Sequence, residues 1–497
     1  MTNREPPQET GAGSEIQEEL LEGNSDQPSS PGSESGVFVD KPPEQSTSIT
    51  RDLIPPAPTT LEETGLTEAQ VIDLLLKTLY QRGASHGNAI ADAMALPFVV
   101  LDDILVTVTQ RHFVEVMGTA GHSRAGYLYE LTEEGRNRAE AALSGNRYVG
   151  PAPVPLDQFR DWIRRQSVRD HRVSRKRLER AFEDLILPPE VMDALGPAVN
   201  SGSSIFLHGA PGNGKTAIAE RLGSLISSEI YFPHAIMVGG HIVVLFDPVY
   251  HRRVRDPKDE QSDARGLIRR DFSSDRRFVK IKRPTVFVGG ELTMDQLDLQ
   301  LNPYSRIYHA PFQLKAAGGV LIVDDFGRQR MGPAELLNRW IVPLEKRFDT
   351  LTLSTGIRFS VPFDCILIFA TNLNPRDLVD EAFLRRIQFK VEVRSPGRPE
   401  FEEILRLNCH ESDIDYRPEA VDFLFSRFFD RFGIKPRGCH PRDILHHIQS
   451  ITTFEGGEPS LDPSLLQRAA QAYFLVMEEE IQPGIASIEA NLRGDDD

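Results

Sequence analysis

The sequence predicts an α/β protein built around a parallel β-sheet. Three runs, residues 205–207, 320–323 and 365–370, are continuously apolar, as strands buried on both faces of a parallel sheet are. The first run is followed by a glycine-rich turn and a helix-compatible segment, residues 217–226, and the other two end in polar pairs. Buried strands combined with helices of this kind predict an α/β fold.

Composition excludes several classes of protein. At 497 residues the chain has room for roughly two to four domains, and its net charge of −17 argues against a protein that coats nucleic acid. No apolar run approaches the roughly 18 residues that span a bilayer, and residues 1–5 lack a signal-peptide core. The three cysteines have neither metal-binding nor redox spacing. We therefore expect a cytoplasmic protein.

Both ends of the sequence are predicted to be acidic tails. Residues 1–60 are rich in Glu, Pro, Ser, Gly and Gln, and their only basic residues are Arg4, Lys41 and Arg51. Such a composition buries too little apolar surface to offset the chain entropy lost on folding, so this tail is predicted to be disordered. Residues 483–497 form the second acidic tail.

Residues 61–147 are predicted to form a compact domain. Thr67 is suited to cap a helix over residues 68–82, whose apolar side chains form one stripe. The elements that follow are helices over residues 89–96 and 98–110, strands over residues 113–117 and 127–131, and a helix over residues 132–143. Three helices, a two-stranded wing and a terminal helix resemble a winged helix-turn-helix.

The third of these helices lacks the side chains of a DNA-reading helix. Asp102 and Asp103 would repel phosphates, and no Asn, Gln or Arg stands where base edges would be read. Arg124 in the wing is one possible phosphate contact. We therefore favour a module that docks a protein and keep DNA binding as the alternative.

Residues 148–177 are predicted to be a Pro-rich linker followed by a basic helix. The run 150–155 contains three prolines and is expected to be stiff. The basic residues that follow are Arg164, Arg165, Arg169, Arg172, Arg175, Lys176 and Arg177. They lie either on a solvated helix face or on a strap that contacts nucleic acid or a neighbouring subunit.

The strongest functional signal is a glycine-rich loop between the first apolar strand and the next helix. It consists of Gly209, Ala210, Pro211, Gly212, Asn213, Gly214, Lys215 and Thr216. The glycines let backbone N–H groups surround phosphate oxygens, and the helix adds its positive amino end. In this motif the lysine reaches the β- and γ-phosphates and the threonine hydroxyl binds Mg²⁺. Residues 178–186 lie just before the first apolar strand, at the position where a wall that binds the nucleotide base would form.

Polar residues after the other two apolar strands supply the remaining chemistry. Asp324 is expected to hold Mg²⁺ and Asp325 to polarise the attacking water. Asn372 is expected to orient that water near the γ-phosphate. Arg385 and Arg386 end a predicted helix, and an arginine can stabilise charge on a transferring phosphoryl group.

Five motifs, taken in order, resemble those of the AAA+ ATPase family. They are the phosphate loop, the Asp-Asp strand, the Thr-Asn strand, the Arg-Arg pair and a Pro-Arg-Asp-Ile helix start at residues 441–444. The resemblance covers residues 178–480. It implies a doubly wound parallel-sheet core over residues 178–394 and a C-terminal helical lid over residues 395–482. It also implies a ring-shaped homo-oligomer whose ATP sites lie between subunits.

The resemblance implies a role for each motif. The glycine-rich loop corresponds to Walker A, the paired acids to Walker B, and Asn372 to sensor 1. Arg385 or Arg386 corresponds to an arginine finger that acts on the neighbouring subunit, and Arg442 corresponds to sensor 2. One departure is that the second Walker B position is usually Glu, whereas this chain has Asp325. Its carboxylate is one methylene shorter, so hydrolysis could be slow.

These observations predict a Mg²⁺-dependent ATPase that remodels or assembles a protein partner, with Mg²⁺-ATP at the subunit interface. One alternative is a DNA-associated ATPase that uses the winged helix and the basic segment. A second alternative is a nucleotide switch that hydrolyses ATP slowly or not at all, because of Asp325.

Insertions interrupt the predicted ATPase core. Hairpins are expected at residues 230–246 and 278–288, before the Asp-Asp strand. A further hairpin at residues 350–361 resembles the pre-sensor hairpin of one AAA+ branch, which can face the ring pore. The candidate substrate contacts are Tyr304, Tyr308 and Arg358.

Overall fold

The structure is a computed structural model that describes residues 53–119, 123–254, 274–375 and 384–481, with residues 475–481 described by their backbone alone. The predicted C-terminal tail, residues 483–497, lies outside the described residues. Of the predicted N-terminal tail, residues 1–52 lie outside them as well. Among the helices that the structure describes, none combines the length and the apolar character needed to cross a membrane.

Residues 53–60 belong to the folded chain rather than to the predicted tail. Pro55 and Pro58 are buried, and the Pro55 carbonyl accepts a hydrogen bond of 2.7 Å from the Asp275 N–H. The predicted boundary at residue 60 is therefore too late. Local composition could not reveal it, because Asp275, which donates to Pro55, is more than 200 residues away in the chain.

Residues 61–145 form five helices around a small antiparallel sheet. The helices are α1 (Leu61–Thr64), α2 (Glu68–Arg82), α3 (Gly87–Met94), α4 (Phe98–Gln110) and α5 (Glu133–Gly145), and the strands are β1 (Ser85–His86), β2 (Val114–Thr119) and β3 (Tyr127–Leu131). β3 lies between β1 and β2. The Thr67 hydroxyl accepts from the Gln70 N–H and the Gln70 side chain accepts from the Thr67 N–H, so a capping box starts α2 at the predicted residue.

The predicted linker and basic helix differ from what the structure contains. The segment holds β4 (Val154–Pro155), α6 (Leu156–Arg165), a 3₁₀ turn (Val168–Asp170) and α7 (Arg175–Ala181). Phe159 and Ile163 of α6 are buried against strands that come later in the chain. The basic residues are therefore spread over α6, the 3₁₀ turn, α7 and the residues between them, and do not form one helix face.

A five-stranded parallel sheet forms the α/β core. The elements of this part of the chain are α8 (Pro189–Asn200), β5 (Ile205–His208), α9 (Lys215–Leu225), β6 (Glu229–Pro233), β7 (Ala235–Val238), β8 (His241–Val244), β9 (Phe278–Lys282), β10 (Thr285–Val288), β11 (Gln300–Asn302), β12 (Ile307–His309), α10 (Phe312–Lys315), β13 (Val320–Val323), α11 (Pro333–Lys346), β14 (Phe348–Thr352), β15 (Arg358–Pro362), β16 (Ile366–Thr371) and β17 (Phe389–Glu392). The order in the sheet is β10-β13-β16-β5-β17, with every neighbouring pair parallel.

Helices cover both faces of this sheet. Side chains of α8 and α9 pack on one face, against alternate residues of β5, β13 and β16. The intervening strand residues face α11, whose Trp340 is fully buried. The predicted α/β core with a doubly wound parallel sheet is therefore confirmed, and the burial of both faces explains why β13 and β16 have no polar residue before their ends.

The insertion before β13 supplies four strands of a second sheet, to which β4 adds an edge strand, in the order β11-β12-β8-β7-β4. The hairpin predicted within residues 230–246 is present as β7 and β8. The hairpin predicted at residues 278–288 is wrong, because β9 pairs with β6 and β10 enters the core sheet. Ala235 and Ile242 of the second sheet pack into the apolar core of residues 61–145, so the insertion and the N-terminal region share one core.

The last part of the described chain is helical. Its helices are α12 (Arg398–Glu411), α13 (Glu419–Leu424), α14 (Asp430–Phe432), α15 (His440–Glu455) and α16 (Pro463–Ile481), with a π-helical turn (Phe425–Phe429) between α13 and α14. Their apolar side chains form a core of their own that includes Phe401, Leu424 and Ile444. These helices lie within residues 395–482, where the resemblance implies a helical region.

Candidate functional site

The glycine-rich loop connects β5 to α9 at the carboxyl edge of the core sheet. Gly209 and Gly214 have φ angles of 139° and 81°, which residues with a Cβ rarely adopt. At Gly209 an added Cβ would lie 2.3 Å from the Val393 carbonyl oxygen, just after β17. Glycine is therefore required for both the backbone angle and the close approach. The turn places the positive amino end of α9 at this edge.

The Lys215 side chain lies across the loop. Lys215 is 6% exposed, and its Nζ donates hydrogen bonds of 3.0 Å to the Gly209 carbonyl and 2.8 Å to the Ala210 carbonyl. Burial lowers the pKa of Lys215 to about 8, although the charges of Asp324 and Asp325 raise it. An ammonium held by neutral carbonyls gains energy by exchanging them for anionic oxygens, because charge-assisted hydrogen bonds are stronger.

Thr216 and Asp324 are in direct contact. The Thr216 hydroxyl donates a hydrogen bond of 2.8 Å to the Asp324 carboxylate. Thr216 lies in the first turn of α9 and Asp324 directly follows β13, so the parallel sheet brings its strand ends together at one edge. A hydroxyl and a carboxylate oxygen beside a phosphate loop are the hard donors that Mg²⁺ prefers.

Asp325 and Asn372 form a second polar pair. The Asn372 Nδ2 donates a hydrogen bond of 3.2 Å to the Asp325 Oδ1. Asn372 follows β16, which lies between β13 and β5, so Asn372 stands between the acidic strand end and the glycine loop. Asp325 has a φ of 48°, in the left-handed region that Asp and Asn adopt more readily than longer side chains.

These side chains line a cavity of about 520 Å³. The predicted residues 212–216, both acids, Asn372 and Arg442 belong to its lining. Gly209, Ala210 and Pro211, which the sequence places in the cofactor-binding loop, lie outside that lining. The carbonyls of Gly209 and Ala210 instead hold the Lys215 ammonium.

The apolar end of the cavity was only partly predicted. Leu185 and Ile186 line it, and they belong to the segment expected to form a base-binding wall. Ile404 and Leu407 of α12 form the opposite side and were missed. No local sequence pattern distinguishes these two residues, because their spacing is that of any helix with one apolar face that packs against neighbouring helices.

Asn213 has a structural role that the sequence did not reveal. Its Nδ2 donates to the Ser395 hydroxyl at 3.3 Å, and its Oδ1 accepts from the Gly438 N–H at 3.2 Å. Asn213 is 7% exposed. Its amide therefore ties the glycine loop to the chain after β17 and to the start of the C-terminal helical region, in addition to lining the cavity.

The start of α15 contacts the loop directly. The Cys439 N–H donates a hydrogen bond of 2.8 Å to the Gly212 carbonyl. Arg442, one turn further along, is exposed, lines the cavity and forms an ion pair of 3.0 Å with Asp443. A group bound in the cavity would therefore contact both the α/β core and the C-terminal helices.

Arg385 and Arg386 lie away from the cavity lining. Arg385 is exposed, whereas the Arg386 Nε donates a hydrogen bond of 2.5 Å to Glu345 of α11. The sequence predicts a helix that ends at these two arginines, and its residues up to 383 lie outside the described residues. Of the two arginines, Arg385 is the more accessible to another molecule.

The candidate substrate contacts have different surroundings. Tyr304 is 85% exposed, and Arg358 is exposed at the start of β15, in the predicted hairpin. Tyr308 as a substrate contact is wrong, because it is 2% exposed and its hydroxyl is hydrogen-bonded to the Ser354 hydroxyl. The aromatic side chain is part of the core between the second sheet and the hairpin.

Comparisons with known proteins give two kinds of match. A domain of unknown function, DUF8689, matches residues 397–472, within the C-terminal helices. None of the curated proteins matches the sequence. Among solved structures, the Holliday junction branch migration motor RuvB of Thermotoga maritima is 14% identical with a TM-score of 0.33, over 60% of this chain and 73% of that chain. NtrX from Brucella abortus is 12% identical with a TM-score of 0.32, over 72% and 70% of the two chains. Both TM-scores are low, so the interpretation of the site rests on its geometry.

Proposed function

We propose that this protein is an ATPase of the AAA+ type that binds ATP with Mg²⁺ in the cavity between the glycine loop and α12. The observation that carries the proposal is the 2.8 Å contact between Thr216 and Asp324. It joins the helix after a phosphate loop to the acidic end of a different parallel strand. Metal-assisted phosphoryl transfer requires this combination of parts.

Each residue of the site has a chemical task in this proposal. The backbone N–H groups of the loop and the Lys215 ammonium bind the phosphates, once that ammonium leaves the carbonyls of Gly209 and Ala210. Thr216 and Asp324 would hold Mg²⁺, which supplies positive charge against the phosphate oxygens. Asp325 accepts the proton of the attacking water. The neighbouring Asn372 amide positions that water.

The test of ATP binding uses two lysine variants. Calorimetric titration should give Lys215→Ala an ATP affinity lower by about a hundredfold, since two or more charge-assisted hydrogen bonds are lost. Lys176→Ala is the matched control, because Lys176 is an exposed lysine of α7 outside the cavity lining. Equal affinities in Lys215→Ala and the unaltered protein would refute the assignment of the loop.

We infer that the protein acts as a ring-shaped oligomer in which Arg385 completes the site of a neighbouring subunit. Its exposure supports this role, as does the fact that it does not line the cavity of its own chain. Arg442 and α12 would report the nucleotide to the C-terminal helices. Those helices then serve as a lid, because they contact the loop through Cys439 and Gly212.

We further infer that residues 61–145 are a winged-helix module that docks a protein partner. The Arg124 guanidinium donates a hydrogen bond of 2.6 Å to the Asp102 carboxylate, so a candidate phosphate contact is neutralised within the module. Val99 of α4 is 58% exposed and Asp103 beside it is exposed, a surface that suits a protein better than a phosphate backbone.

The DNA-associated alternative is tested by ATPase assays with and without duplex DNA over a range of salt concentrations. We expect no stimulation. Stimulation that falls steeply with salt would favour the alternative, because phosphate contacts release counterions.

A slow nucleotide switch is the second candidate function. The observation that favours it is the short carboxylate of Asp325, which is already hydrogen-bonded to Asn372. Rapid-quench measurement of a single turnover distinguishes the two. Phosphate release at a rate well above that of uncatalysed hydrolysis supports the ATPase, and bound ATP that persists supports the switch.

A further inference from the structure

A second cavity lies at the opposite edge of the core sheet from the nucleotide site. It has a volume of about 240 Å³, and four arginines contribute to its lining: Arg160, Arg164, Arg169 and Arg347. We call it the arginine cavity. Asp364, which also lines it, comes just before β16, and Arg347 donates to the hydroxyl of Ser203, just before β5. Both positions mark the amino ends of parallel strands, whereas the glycine loop lies at the carboxyl ends.

The positive charge of the arginine cavity is poorly compensated. Among the described residues, Arg160 and Arg164 form ion pairs with exposed aspartates one turn away on α6, and such pairs are weak. Arg160 also donates to the carbonyl and the hydroxyl of Ser360, which are neutral acceptors. Within the described residues, no carboxylate lies at ion-pairing distance from Arg169 or Arg347. Burial, and then the neighbouring Arg169 guanidinium, lower the pKa of Arg347.

Asp364 is the only acidic side chain in the described lining, and its oxygens are already used. One accepts a hydrogen bond of 2.7 Å from the Ser167 hydroxyl and the other accepts a bond of 3.0 Å from the Val168 N–H. Burial raises the pKa of Asp364. This carboxyl group therefore fixes the turn before α7, and its single charge is shared among Arg169, Arg283 and Arg347.

The backbone at Arg347 has the left-handed conformation that often ends a helix. Arg347 follows α11 with a φ of 61°, a conformation at a helix end that glycine adopts without strain. An arginine there costs energy that glycine would not, and its guanidinium donates the hydrogen bond of 3.2 Å to the Ser203 hydroxyl. That side chain lines the arginine cavity.

We propose that the arginine cavity binds a phosphoryl group. A carboxylate has two oxygens in one plane, a geometry that matches a single bidentate guanidinium. A tetrahedral phosphoryl group has three or four acceptor oxygens and can engage several guanidiniums at once. The group belongs either to a small phosphorylated compound or to the backbone of a nucleic acid. This proposal goes beyond the proposed ATPase function and does not depend on it.

The test compares Arg169→Gln with Arg180→Gln, each in a Lys215→Ala chain so that phosphate bound at the glycine loop contributes little. Arg180 is an exposed arginine of α7 outside the cavity lining and makes the same change in charge. Binding of inorganic pyrophosphate is measured by calorimetry. We expect an affinity at least about tenfold lower for Arg169→Gln and unchanged for Arg180→Gln. Equal pyrophosphate binding by the two variants, or no binding to the Lys215→Ala parent, would overturn the proposal.

Two further arms identify the source of the phosphoryl group and exclude a folding defect. Arg164 is an exposed residue of α6 that also lines the cavity. Arg164→Gln should therefore weaken pyrophosphate binding without changing the thermal midpoint, which separates a loss of binding from a folding defect. A short single-stranded oligonucleotide that loses affinity in Arg169→Gln assigns the group to nucleic acid. Pyrophosphate binding without oligonucleotide binding assigns it to a small compound. Polyglutamate that binds as well as pyrophosphate, with the same dependence on Arg169, would overturn the choice of a phosphoryl group.

Discussion

The hydroxyl of Thr216 and the carboxylate of Asp324 are 2.8 Å apart although 108 residues separate them in the sequence. Neither residue alone indicates an enzyme, since threonines begin many helices and aspartates end many strands. Together, beside a loop whose glycines have left-handed backbone angles, they support the proposed site for a divalent cation next to a triphosphate.

Removing the Thr216 hydroxyl should uncouple ATP binding from Mg²⁺. We expect Thr216→Ala to bind Mg²⁺-ATP about tenfold more weakly, while binding of ATP in a chelator changes little, because one metal ligand is lost and the phosphate loop is not. Thr216→Ser keeps the hydroxyl and is the control. The measurement is calorimetry with and without Mg²⁺. The same loss of affinity in both conditions would contradict a metal-binding role.

Changing Asp325 should separate hydrolysis from binding. Asp325→Asn is expected to lower kcat by about 10²–10⁴, with little change in ATP affinity, because it removes a general base and keeps the size of the side chain. Asp325→Glu should not hydrolyse faster than the unaltered protein. The φ of 48° at this position is less favourable for Glu than for Asp. A large gain in kcat for Asp325→Glu would show that this backbone constraint is unimportant.

Mixing subunits should reveal whether Arg385 acts on a neighbour. Arg385→Ala is expected to lower ATPase activity on the order of 10³-fold, as loss of an arginine finger does. Mixtures with Lys215→Ala subunits should regain part of the activity, since some interfaces then combine an intact loop with an intact arginine. Arg386→Ala is the comparison, because Arg386 pairs with Glu345 of its own chain. Absence of rescue at every mixing ratio would count against a shared site.

The buried charge of Lys215 should make the ligand-free protein less stable at neutral pH. The pKa of this lysine falls from 10.5 to about 8 on folding, so folding releases a proton between these values and the contribution of Lys215 to stability rises with pH across that window. Lys215→Met should therefore raise the thermal midpoint at pH 7, and its advantage should shrink as the pH approaches 10.5. Lys176→Met, an exposed control, should change neither. A constant advantage over this range would exclude the titration of Lys215 as its cause.

Local patterns predicted the elements whose cause is local. α2 begins after Thr67 because a capping box needs only residues 67–70, and α4 spans the predicted residues because its apolar stripe follows the helical period. The strand, loop and helix around Lys215 were predictable in the same way. Glycine positions, an amino-terminal helix turn and an adjacent lysine are all set within a few residues.

Features that depend on pairing over long distances were missed. β4 falls in the predicted linker, because residues 154–155 become a strand only when they meet β7. β10 was assigned to a hairpin, yet it pairs with β13 in the core sheet. The contact between Cys439 and the glycine loop, and the grouping of arginines from α6, the 3₁₀ turn and the end of α11, likewise have no local signature.

The sequence by itself determined which groups are available: a glycine turn suited to phosphate, acids at the end of a buried strand, and an excess of arginine before α8. The tertiary structure alone decided where they meet. The order β10-β13-β16-β5-β17 sets Asp324 beside Thr216 at one edge and gathers the arginines at the other. The physical reason is that a strand's residues encode its burial and direction, whereas its neighbours in the sheet are selected by packing against the whole folded chain.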